Sequence, residues 1–103
     1  MELVILESPF AGDVDRNTAY ARKCMLDCFK RNEAPFASHL LYTQVLDDNQ
    51  EHARVLGINA GLKWGEKASK TVVYTDFGIS KGMEYGIKNA ETNGRLIEYR
   101  QIL

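Results

Sequence analysis

Four short apolar runs separated by helical segments constrain the fold of this chain more than any other feature. Residues 3–6 form a continuous apolar run of the kind a buried parallel strand shows. Residues 34–38 read as a weaker second strand, residues 72–75 as the clearest, and residues 96–99 as the last. Between the first two, residues 15–31 place Ala21, Cys24, Met25 and Cys28 on one helical stripe, with Asp13 or Asp15 as N-cap and Asn32 as the stop. After a polar connection over residues 39–50, residues 51–67 read as a second helix. Residues 80–92 read as a third, with Met83, Ile87 and Ala90 inward and Gly94 at the C′ position.

This alternation with short connections predicts an α/β fold in which a parallel four-stranded sheet carries helices on both faces. In such open sheets the ligand lies beyond the carboxyl ends of the strands, where the winding direction reverses. For a strand order of 2-1-3-4, the reversal falls between the first and third strands. The flanking loops are then residues 8–13 and 76–80.

At 103 residues the chain is long enough for one modest core, so residues 1–103 are read as a single domain. A net charge of −1 gives no electrostatic footprint for a nucleic-acid polymer or an anionic membrane. No apolar run approaches the roughly 20 residues that span a bilayer, and the acidic start soon reaches Pro9. The expectation is an unprocessed cytoplasmic protein. Cys24 and Cys28 are the only cysteines, and their i, i+4 spacing places both on one helix face. A metal half-site with His39 would fall short of the four ligands that thiolate zinc sites need. Buried reduced thiols are the better reading, and neither a metal nor a cofactor is expected.

The two switch-point loops carry the most unusual chemistry. Ser8-Pro9-Phe10-Ala11-Gly12-Asp13 offers a hydroxyl, an aromatic face and a small-residue turn ahead of a helix, whose N–H groups attract anions. It lacks the glycine-lysine-serine end of a P-loop. In Thr71–Gly86, TVVYTDFGISKGMEYG, an apolar run ends in Asp76; Gly78 and Gly82 allow close backbone approach, and Ser80 supplies a hydroxyl and an N-cap. Glu84 lies near the start of the following helix, where the dipole favours its ionised form. Position alone leaves two readings open, a nucleophile or a plain complement to the dipole. His39 and Tyr42, just after the second strand, would reach the same end of the sheet, whereas His52 starts a polar helix and reads as exposed.

Gly57, Gly61 and Gly65 recur at four-residue spacing in the second helix. Each costs a helix roughly 0.5–1 kcal/mol relative to alanine, so three on one side suggest close approach to another backbone, either the sheet or a second subunit.

ESPFAG after the first strand, PFASHLLY around the second and TDFGISKGMEYGIKNAETNGRLIEY at the end resemble the nucleoside 2-deoxyribosyltransferase superfamily, which includes the deoxynucleoside 5′-monophosphate N-glycosidases. More closely, the chain resembles a group of small phage and bacterial proteins within or beside that superfamily. The resemblance implies a flavodoxin-like three-layer fold, a homodimer or larger homo-oligomer, and a small-molecule nucleoside or nucleotide as ligand. It implies cleavage of the N-glycosidic bond through a covalent deoxyribosyl intermediate on Glu84, passed to water or to a second base. Ser8, Phe10, Ala11 and Gly12 would hold the sugar or 5′-phosphate. Gly78 and Ser80 would line the sugar side, and Asp76 would orient the nucleophile or a hydroxyl. Active sites of this family often borrow residues from a neighbouring subunit.

The chain also departs from the family. Gly78 stands where the monophosphate hydrolases carry a serine, and Val4 roughly where the family has a tyrosine. The family's aspartate before the third strand falls near Gly61, which removes the usual acid for protonating the leaving base. That role is generally worth about 10²–10⁴ in rate. Two classes therefore stand side by side: a nucleotide N-glycosidase or deoxyribosyltransferase, and a non-catalytic nucleotide binder of the same fold.

Overall fold

The computed structural model describes residues 1–103. Strand β1 (Glu2–Glu7) leads into helix α1 (Val14–Lys30), then β2 (Glu33–Phe36), a one-turn helix α2 (Ser38–Leu41) and a 3-10 turn at Tyr42–Gln44. Helix α3 (Glu51–Gly65), β3 (Lys70–Tyr74), α4 (Lys81–Thr92) and β4 (Leu96–Arg100) follow. All neighbouring strands are parallel, and the order is β2-β1-β3-β4. The predicted α/β architecture and strand order are therefore those of the structure. No helix is long and apolar enough to cross a membrane.

Local signals explain the helix limits. Asp13 caps α1 by accepting from the Arg16 amide at 3.1 Å. Asn32 ends the helix region in a left-handed conformation, φ 58°, which asparagine tolerates better than most residues. Ser80 caps α4, its Oγ accepting from the Met83 amide at 3.3 Å, and Gly94 follows at φ 66°. One expectation needs revision: the connection after β2 is not plain loop, because α2 and the 3-10 turn wind residues 38–44 over the carboxyl end of the sheet.

Side chains alternate across a strand, so β1 sends Val4 and Leu6 to one face and Ile5 and Glu7 to the other. On the first face, Val4, Leu6, Val72 and Tyr74 pack beneath Tyr20, Cys24 and Cys28 of α1 to form the main core. The two cysteines are free thiols in that core, and burial pushes the Cys24 thiol up to about 12. The second face carries α3 and α4. The glycines of α3 turn inward: a Cβ at Gly61 would strike Ser38, and one at Gly65 would meet Arg95 and Ile5. The neighbours are side chains of the segment after β2 and, at Gly65, of the sheet, rather than another backbone. Arg95 ties this face together, donating to the Gly65 carbonyl at 2.8 Å, the Thr71 hydroxyl at 3.0 Å and the Asn89 side chain at 2.6 Å.

An ionic network unforeseen from the sequence spans the sheet on the α1 side. The Lys70 ammonium lies 2.8 Å from Glu33, 2.9 Å from Glu98 and 3.3 Å from Glu2. Arg100 grips both Glu33 oxygens, at 2.8 and 2.7 Å, and reaches Glu98 at 2.7 Å. The guanidinium, helped by Lys70, holds the Glu33 carboxyl down at about 2. Two buried cations are thus matched by three carboxylates from β1, β2 and β4.

Candidate functional site

Above the carboxyl ends of β1 and β3 lies a cavity of about 190 Å³. Its walls come from the turn after β1, from α2 and the 3-10 turn, from the first half of α3 and from the start of α4. This is the position the switch-point rule assigns to a ligand.

Ser8 follows β1 directly, and its buried hydroxyl lies 2.8 Å from His39 Nε2 on α2. Burial lowers the His39 pKa to about 4, so at neutral pH the ring is uncharged and shares one proton position with Ser8. Phe10 meets the His39 ring edge-on at 6.4 Å. Across the cavity, Ser80 and Met83 close the first turn of α4 on each other: the Ser80 amide donates to Met83 Sδ and the Met83 amide to Ser80 Oγ, both at 3.3 Å. The amides of Lys81 and Gly82 lie in the first turn, where a helix has no internal acceptor to offer. Lys81 and Arg54 also line the cavity, and none of the seven ion pairs of the chain uses either.

Among the residues singled out from the sequence, Ser8, Phe10, Ala11, His39, Tyr42, Ser80 and Gly82 come together in this lining. Gly12 and Gly78 lie outside it, and their φ angles of 97° and 81° show their work to be turning the chain. The Asp76 carboxylate is engaged elsewhere. It accepts from the Tyr20 hydroxyl at 2.6 Å and from the amides of Ile102 and Leu103 at 3.0 and 2.9 Å. Burial opposes its charge, but those donors hold its pKa below the ordinary value. Asp76 thus fastens the carboxyl-terminal residues to α1. Glu84 is exposed and is not part of the cavity lining. The reason is helical geometry: Met83, Gly86 and Ala90 face inward, and each step along a helix turns about 100°. Cys24 and Cys28 lie in the α1 core while His39 lines the cavity, and no three metal-ligating side chains cluster anywhere.

Two carboxylates line the cavity, Asp48 at its outer side and Glu7, the last residue of β1. Glu7 has no hydrogen-bond partner, and desolvation raises its pKa to about 8 even though the charge of Arg95 pulls the other way. Helix α4 lies directly over it. A Cβ at Gly86 would overlap the Glu7 carboxyl, so the carboxyl keeps this place only opposite a glycine. The sequence signal was an acid closing an apolar strand at the sheet's carboxyl edge, immediately before Ser8.

Fold and cavity together define a small open α/β domain with a ligand-sized crevice at its sheet switch point. By sequence, the chain belongs to the family described as Domain of unknown function (DUF7768), which matches residues 2–100. No curated protein and no solved structure matches it.

Proposed function

We propose that this protein binds a nucleoside or nucleoside 5′-monophosphate in the crevice and cleaves its N-glycosidic bond. The observation that carries the reading is the convergence, on one cavity, of the Ser8–His39 pair and the start of α4. The free amides of Lys81 and Gly82, with the Lys81 and Arg54 charges, suit a phosphate or other anionic oxygen. The Ser8 hydroxyl and neutral His39 suit a sugar hydroxyl, and the Phe10 and Tyr42 rings suit a base.

The exposed position of Glu84 argues against a covalent deoxyribosyl-glutamate and favours direct attack by water. It equally supports a second reading, a nucleotide binder without turnover. The same proposal includes a cytoplasmic setting and a homo-oligomer, for which the exposed Leu26 and Phe29 on α1 offer apolar surface. Incubation with a panel of deoxynucleosides and their 5′-monophosphates, followed by chromatography, separates the readings. Released base supports cleavage. Saturable binding without released base selects the binder, and absence of both removes the nucleotide reading.

A further inference from the structure

Glu7 has no place in the reading of the sequence, yet it is the one carboxyl that the strands carry into the cavity. It lines the main cavity and also the narrower cleft beneath it, between α3 and α4. It stands next in sequence to Ser8, whose hydroxyl marks the expected sugar position. Gly86 leaves room for this carboxyl, which any side chain there would displace. Glu7 is half-buried, and a carboxyl desolvated at a cavity wall without an ion pair favours its protonated form.

We propose that Glu7 is the proton donor of this site, its carboxyl donating a hydrogen bond to the base of the bound nucleoside or nucleotide and releasing that proton as the base departs. The inference rests on the proposed N-glycosidic cleavage. The C1′–N bond breaks with its electron pair passing to the base nitrogen, which takes the Glu7 proton. Water then bonds through oxygen to C1′ and gives up a proton to the Glu7 carboxylate, which restores the acid.

The groups around Glu7 are compatible with a proton held there. Arg95, just before β4, favours the ionised form, but its guanidinium is spent on Thr71, Gly65 and Asn89. His39 on α2 is uncharged at neutral pH. Arg54 on α3 and Lys81 on α4 line the outer cavity together with Asp48, and Tyr85 lines the lower cleft. Desolvation outweighs the Arg95 charge and raises the Glu7 carboxyl to about 8.

Two measurements test the proposal. In the free protein, carbon-13 NMR of the labelled glutamate carboxyls should give one group titrating near pH 8 that is missing from Glu7→Gln. A Glu7 midpoint near the ordinary carboxyl value overturns the proposal whatever the ligand. In base-release assays with the deoxynucleoside 5′-monophosphates, Glu7→Gln should lower turnover by about 10²–10⁴. Its affinity for the same nucleotides, followed by amide chemical shifts, should stay within about threefold, and the wild-type rate should fall about tenfold per pH unit above 8. Equal turnover in the variant overturns the donor role and leaves the proposed function standing. Nucleotide binding by the wild type without base release overturns the donor role and selects the binder. Neither binding nor release overturns both.

Discussion

Replacing Glu7 by glutamine should make the protein more stable at neutral pH, by an amount that the pH itself controls. The Glu7 carboxyl titrates near 4.5 in an unfolded chain and at about 8 in the folded one. Between those values the folded state holds a proton that the unfolded state has released. Stability therefore falls as pH rises through this window, being highest below about 4.5 and lowest above about 8. At pH 7 the interval above the unfolded value is about 2.5 units, which at 1.36 kcal/mol per unit amounts to about 3 kcal/mol. Glutamine keeps the shape of the protonated acid and does not titrate. Glu7→Gln should then gain about 3 kcal/mol at pH 7 and almost nothing at pH 4. Urea unfolding at several pH values reads this directly, provided the m-values agree. Wild-type and variant curves that stay parallel from pH 4 to pH 8 would refute the reasoning.

Three further outcomes are expected. Gly86→Ala should swing the flexible Glu7 carboxyl aside and change stability by less than about 1 kcal/mol, since alanine's helix preference offsets the displacement, and the coupling should vanish in a double-mutant cycle with Glu7→Ala by urea unfolding. Arg100→Met leaves Glu33 facing Lys70 alone and should cost about 3–5 kcal/mol in urea unfolding. Glu33 has a folded pKa held at about 2, so its contribution is complete above about 4.5 and is lost as pH falls toward 2. Acid unfolding monitored by circular dichroism should accordingly shift to higher pH in Arg100→Met.

The architecture was legible because strand and helix periods alternate cleanly, and because Asp13, Asn32, Ser80 and Gly94 punctuate the helices as their chemistry requires. The crevice followed from topology, which brings the turn after β1 beside the start of α4. Three features were hidden for physical reasons. The one-turn helix α2 is too short for periodicity to show. The Lys70–Glu33–Arg100 network joins residues that meet only through sheet register, and strand ends of mixed charge read as ordinary solvated positions. The position of Glu84 depends on the rotation of α4 about its axis. The inward set of Met83, Ile87 and Ala90 already implied that rotation, since one residue beyond Met83 lies about 100° around the helix. Glu7 is hard to single out in the sequence because its neighbours in the ESPFAG turn carry more familiar ligand chemistry.

The claim on which the account depends is that a nucleotide occupies the cavity between the Ser8 turn and the start of α4. Amide chemical-shift mapping with deoxynucleoside 5′-monophosphates at neutral pH tests it most directly. The account predicts saturable shifts concentrated at Ser8, Ala11, His39, Tyr42, Lys81 and Gly82, with the amides at the opposite, amino end of the sheet unmoved. Shifts centred on the exposed face of α4 around Glu84, or none at millimolar nucleotide, would contradict it.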